Sequence, residues 1–132
     1  MIGYSPKFPL QIDNYVGAYA VNTELKDVIR QNFKNLMLTA QGERVMDINF
    51  GAGLRHYLFE QNHGQLQSSI AEKVREQTQK YMPFISLTSV DFNTSTVAGN
   101  VEDHILDISI KYSISGLDEN ASVLISAAAD SL

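Results

Sequence analysis

From Leu106 to Ile114 the chain alternates without a break. Leu106, Ile108, Ile110, Tyr112 and Ile114 are apolar or aromatic, and Asp107, Ser109, Lys111 and Ser113 between them are polar or charged. Successive side chains of a strand point to opposite faces, so this pattern commits the segment to a sheet with one buried and one wetted face. Gly116 to Asn120 reads as a hairpin connection, after which Ala121, Val123, Ile125 and Ala127 alternate again in a last strand. Upstream, Ile85 and Leu87 alternate, but Val90 and Phe92 fall on the opposite parity, which predicts a bulge or a strand buried on both faces. Asn93 to Asn100, rich in Thr and Ser, reads as a polar turn. Strands joined by such turns form an antiparallel sheet, and at least one edge stays open unless the N-terminal arm or another chain pairs with it.

Two helical segments precede the strands. Asn22 or Thr23 is the expected N-cap of the first, with Glu24 and Asp27 in the first turn, where the helix dipole favours negative charge. Leu25, Val28, Ile29, Phe33, Leu36 and Met37 then recur at helical spacing, and Gly42 is expected just past the helix end. Lys26, Arg30 and Lys34, four apart, form a basic stripe along one border of the apolar face. They are either flanking side chains whose stems cover the edge of the core or a docking surface for an acidic partner. A second helix is expected from about Gln65 to Tyr81. Leu66, Ile70, Val74 and Tyr81 make its narrow apolar stripe, Ala71 and Gln77 fill the edges, and Glu76 and Lys80 stand in the favourable i, i+4 order. Pro83 stops it, with Met82 at the boundary.

The fold class that follows is α+β: two main helices packed on one face of a small antiparallel sheet of about three strands, preceded by an extended arm. With 132 residues the chain fits one domain. The arm is expected over residues 1–20, where Pro6 and Pro9 oppose helix and Leu10, Ile12, Tyr15 and Val16 are scattered anchors; the domain is expected over 21–132.

Between the helices lies QGERVMDINFGAGLRHYLFE, residues 41–60. Glu43, Arg44 and Asp47 set three charges beside Val45, Met46 and Ile48, the pattern of a turn whose charges are tied down. Phe50-Gly51-Ala52-Gly53-Leu54 then calls for a sharp reversal, because glycine tolerates positive φ and close backbone approach. Arg44 is expected to pair with Glu43, Asp47 or Glu60, since a lone charge beside this much apolar surface is costly. A single Gly-x-Gly without a preceding strand or a following Gly-Lys-Ser/Thr makes no phosphate site.

Glu43, Asp47 and Glu60 are candidate carboxylates for acid/base work of the glycosidase kind, which needs two carboxyl groups flanking a bond and one pKa raised by burial. Spacing alone does not establish that, and Arg44 is a closer structural partner. His56, His63 and His104 lack metal-ligand spacing, and no serine sits in Gly-x-Ser-x-Gly. No cofactor is expected. A net charge of −5 argues against nucleic acid as a partner, and the absence of cysteine removes disulfide and thiolate chemistry. With 44% hydrophobic and 19% charged residues and no long apolar run, neither disorder nor a membrane span is expected.

Gly42-Glu43-Arg44, Met46-Asp47, Phe50-Gly51-x-Gly53-Leu54 and Leu58-Phe59-Glu60 together resemble the lysozyme-like baseplate wedge family of contractile-tailed bacteriophages and related contractile injection machines. The likeness runs from roughly Phe8 to Ile114. The resemblance implies a small α+β wedge protein of the virion's tail baseplate, assembled in the host cytoplasm and acting as sheath initiator. Its implied partners are the tail sheath subunit and the wedge core-bundle proteins, with tail tube or hub proteins as further neighbours. In that family a tripeptide of acid, proline and base follows the second helix and helps bind the core bundle. Here Met82-Pro83-Phe84 keeps only the proline, so an apolar contact is expected in place of a charged one. For the sheath, strand addition along Ala121, Val123, Ile125 and Ala127, or along the N-terminal arm, is the expected contact. A peptidoglycan-cleaving hydrolase is the alternative reading.

Overall fold

The computed structural model describes residues 3–14, 19–58, 60, 64–94 and 106–125. The two long helices fall where apolar spacing places them: α1 spans Leu25–Leu38 and α3 spans Gly64–Tyr81, with a single turn of helix, α2, at Leu54–Tyr57 between them. The N-cap of α1 is Glu24 rather than Asn22 or Thr23, and its side chain makes no capping bond. Asn22 is committed elsewhere. It lies in the two-residue strand β2 (Val21–Asn22), and its Nδ2 donates to Gln31 Oε1 at 3.0 Å and to Ser5 Oγ at 3.3 Å. The helix also ends earlier than Gly42. Thr39 turns extended, and both its N–H and its hydroxyl donate to the Asn35 carbonyl, at 2.9 and 2.6 Å, satisfying that end of the helix. Gly42, at φ 87°, serves a turn further on.

The main sheet has the order β3-β4-β5, all antiparallel, with β3 at Ile85–Thr94, β4 at Leu106–Ile114 and β5 at Leu117–Ile125. The parity switch in β3 is a bulge. Register shifts between Leu87 and Ser89, so that Ile85 and Leu87 before it and Val90 and Phe92 after it all oppose the inward residues Ile114, Tyr112, Ile110 and Ile108 of β4. Asn93 and Thr94, expected in a polar turn, continue the strand; residues 95–105 lie outside the described part. The final hairpin is tighter than the Gly116–Asn120 connection expected. Ser115 and Gly116, the latter at φ 90°, turn the chain so that Leu117 opposes Ile114, and the next paired residues are Ser113 and Asn120. Asp118 and Glu119 therefore bulge from the ladder and leave a regular run from Asn120 to Ile125. Ala127 lies outside the described residues.

Helices cover one face of this sheet, α3 over β3 and α1 over β5. Phe33, Leu36 and Met37 from α1, Ile70 and Val74 from α3, and Ile108, Ile110 and Tyr112 from β4 are fully buried there. The Phe33 and Tyr112 rings meet at 4.6 Å between centroids. The other face is polar, with Lys111 Nζ 3.0 Å from Asp91 across two strands. That hydrogen-bonded ammonium holds the Asp91 carboxyl below its ordinary range, but both side chains are about half exposed and the pair contributes little.

Part of the arm pairs within the chain. Ser5–Pro6 forms β1, antiparallel to β2, with Tyr4 N–H donating to the Asn22 carbonyl and Lys7 N–H to that of Ala20. Gln31 on α1 completes the dock as a main-chain amide would: Phe8 N–H donates to its Oε1 at 3.1 Å, and its Nε2 donates to the Pro6 carbonyl at 3.0 Å. Residues 4–8 are thus occupied within the molecule, by β2 and α1 rather than by the edge of the main sheet.

Candidate functional site

Between α1 and α2 the chain doubles back through a loop that is irregular yet closely hydrogen-bonded. Gly42 N–H donates to the Ile48 carbonyl at 2.7 Å, closing the base of a projecting turn. Glu43 Oε2 accepts from Ala40 N–H at 2.9 Å, and Asp47 Oδ1 from Asn49 N–H at 3.2 Å. Asp47 Oδ2 accepts the Tyr81 hydroxyl at 2.7 Å, which ties the turn to the last residue of α3. That hydrogen bond, with partial burial second, raises the Tyr81 phenol above its ordinary value.

Arg44 forms no ion pair among the described residues, contrary to expectation. Its guanidinium lies 4.0 Å from the centroid of the Phe50 ring, and Phe50 in turn meets Tyr81 edge to face at 4.9 Å. Two of the carboxylates expected to neutralise it, Glu43 and Asp47, are already held by backbone N–H groups and by Tyr81, and a ring face balances an exposed guanidinium without the cost of stripping its water. Val45, Met46 and Ile48 are 92%, 98% and 67% exposed, so the turn's charges are anchored while its apolar side chains point out. The Glu60 side chain is exposed, and Phe59 lies outside the described residues.

The two glycines do the work of the reversal. At Gly51, φ 110°, a Cβ would overlap the Thr39 carbonyl oxygen; Gly53, φ 63°, sits against Ala40 with its N–H donating to that same carbonyl at 2.9 Å. Gln77, on α3 and 1% exposed, secures the other side: its Oε1 accepts from Gly51 N–H at 3.0 Å and its Nε2 donates to the Asn49 carbonyl at 3.1 Å. By spacing alone Gln77 and Tyr81 are edge and stripe residues of a helix. A buried amide within an apolar stripe was the signal that a backbone turn must lie opposite it.

What this arrangement does chemically is brace. A hollow of about 210 Å³ beside the turn is lined by Ala40, Gln41, Ala52, Gly53, His56, Tyr57 and Lys73, none of them a carboxylic acid. Glu43 and Asp47 do not line that hollow; they accept from main-chain N–H groups and, in the case of Asp47, also from the Tyr81 hydroxyl. Among the described residues no cluster of metal-ligating side chains forms, and no helix is long and apolar enough to cross a membrane.

A second feature runs along the outer edge of β5. One trough of about 440 Å³ lies between β5, α1 and the docked arm, lined in part by Lys7, Asp27, Arg30, Lys34, Val123 and Leu124. A neighbouring one of about 300 Å³ continues past Asp27 and Arg30 to Leu117, Asn120, Ala121 and Ser122. Val123 and Ile125 face the core, Ala121 is partly buried, and Leu124 is 58% exposed. Among the described residues no backbone group of β5 bonds to anything beyond its own hairpin.

The segment after α3 divides. Met82 is 8% exposed and belongs to the core, so it is not available to touch a partner as expected, while Pro83 and Phe84 face outward, Phe84 at 41% exposure. Met82 N–H continues the helix by donating to the Thr78 carbonyl at 2.9 Å, and that turns its side chain inward.

The family model for baseplate wedge protein gp25 matches residues 23–118 of this chain. Among solved structures, a protein of Geobacter sulfurreducens described as a tail lysozyme aligns with a TM-score of 0.65 at 24% identity, over 81% of this chain and 93% of that one. A chain of the anti-feeding prophage baseplate aligns with a TM-score of 0.65 at 20% identity, over 85% of both. One from the postcontracted pyocin R2 baseplate gives 0.57 at 20% identity, over 81% of this chain and 99% of that one. No curated protein sequence matches significantly. Likeness at this identity establishes a shared fold and leaves the role of each residue to be argued from its surroundings.

Proposed function

The chain belongs to the baseplate wedge protein gp25 family, and from that premise we propose that it is a structural wedge component that seeds the first tail-sheath ring by accepting a sheath strand on β5. The observation that carries this reading is the outer edge of β5. A sheet edge presents main-chain donors and acceptors in register, and an added strand gains affinity from those bonds and selectivity from alternating side chains. Of the two edges of the sheet, β3 is interrupted mid-strand by its bulge, whereas β5 runs regularly from Asn120 to Ile125 beside an open trough. The arm, the other candidate for strand pairing, is engaged over residues 4–8 by β2 and Gln31.

In this reading Pro83 and Phe84 make the apolar contact with the wedge core bundle, with Met82 holding them from beneath. The braced turn 42–54 keeps α1, α2 and α3 in fixed relation while the sheath pulls on β5. The protein is a non-catalytic part of the virion tail baseplate, put together in the host cytoplasm, with tube or hub proteins as further neighbours. The hydrolase reading gains nothing from the site, since Glu43 and Asp47 serve as structural acceptors.

Proline substitution tests the role of the edge. Outward-facing N–H groups alternate along an edge strand, so of Val123→Pro and Leu124→Pro one removes an outward donor while the other breaks the ladder to β4. The variant that keeps native circular dichroism should enter baseplates yet fail to nucleate sheath in electron micrographs. Normal sheath on particles carrying that folded variant would refute the proposal.

A further inference from the structure

We infer that the strand accepted at β5 is acidic on the side facing α1, and that Arg30, flanked by Lys34 and Lys7, selects it. The inference rests on the strand-addition reading above and adds the chemistry of the partner. The chain as a whole carries −5, yet among the described residues the trough beside Val123 and Leu124 is lined by Lys7, Arg30 and Lys34 with one carboxylate, Asp27. Arg30 lines both parts of the trough, is exposed, and enters no ion pair among the described residues. The buried Tyr112 phenol, on which the Arg30 charge acts, is neutral, so among the described lining residues Asp27 is the one anion beside Arg30.

Strand geometry converts this into a pattern. A segment laid on Asn120 to Leu124 turns alternate side chains towards α1, where Arg30 and Lys34 stand one helical turn apart. Carboxylates at alternate positions of the incoming strand would meet them, while a basic strand would be repelled at the same place. Like-charge exclusion gives selectivity in addition to the sequence-blind bonding of the main chain. A second copy of this chain is a poorer occupant, because its own edge would bring the same cations into the same trough.

Binding of the purified sheath subunit to the full chain tests the inference, with Arg30→Glu and Lys34→Glu as trough variants. Arg75→Glu, which makes the same change in net charge on the exposed side of α3, is the control, and the folded β5 proline variant reports on strand addition itself. Arg30→Glu should weaken binding by about tenfold or more, Arg75→Glu by less than about twofold, and added salt should weaken the wild type more than Arg30→Glu. If the proline variant loses binding while both trough variants bind as the wild type does, acid selection is overturned and strand addition stands. If the proline variant also binds normally, both fall. If Arg30→Glu changes self-association in sedimentation instead of sheath binding, the trough belongs to a second copy and the inference is wrong.

Discussion

Gln77 holds two main-chain groups of the central turn with one side chain, and its stripe neighbours could not replace it. Gln77→Ala would leave the buried Gly51 N–H without an acceptor and release Asn49, at a cost of about 1–3 kcal/mol. Thermal unfolding should show the melting temperature lowered by several degrees, and a change within error would mean that water replaces the amide. Tyr81 gives a pH signature. Its hydroxyl donates to Asp47, so its folded pKa lies above the ordinary 10.0, and the neutral phenol is the stabilising form. The contribution is present below the unfolded value and is lost as pH rises through the folded one. The stability advantage of the wild type over Tyr81→Phe should therefore be constant up to about pH 9 and shrink only as the pH is raised above about 10. An advantage that grows with pH would contradict the hydrogen-bond assignment. Arg44 shows the limit of reading charges by sequence distance: three nearby carboxylates suggested an ion pair, but Phe50 lay closer in space.

At the scale of elements, spacing revealed α1, α3 and β4 because each is buried on one side only, and a one-sided element writes its period into the sequence. The bulge in β3 was legible for the same reason, as a change of parity between Leu87 and Val90. Element ends were less legible. The helix start lost Asn22 to hydrogen bonds with Ser5 and Gln31, while at the other end Thr39 closed α1 before Gly42 by a local bond from its own hydroxyl to the Asn35 carbonyl. The turn itself tests the two glycines against each other. Gly51→Ala forces a Cβ into the Thr39 carbonyl at a positive φ and should cost more than about 3 kcal/mol, whereas Gly53→Ala meets ordinary contact distances and should cost about 1 kcal/mol. Equal losses in denaturant unfolding would show that backbone conformation, and not the close approach to Thr39, decides the requirement.

For the whole molecule, the arrangement of surfaces matters more than any pocket. Phe84 leads into β3 and the trough lies along β5, so the two proposed contacts sit on opposite edges of one three-stranded sheet, with the helices locked across its inner face. Such a body can pass load from one neighbour to another without changing shape. The sequence announced an open edge but not which strand would own it, because the arm's partners are the two-residue strand β2 and a glutamine amide on a helix, and no strand pattern foretells either. The most direct test is a cryo-electron microscopy map of the assembled baseplate at a resolution that traces main chain around β5. The account predicts a strand from the first sheath ring hydrogen-bonded to the outer edge of Asn120 to Ile125, with acidic side chains towards Arg30. A β5 edge facing solvent, or occupied by a segment of this same chain, would contradict it.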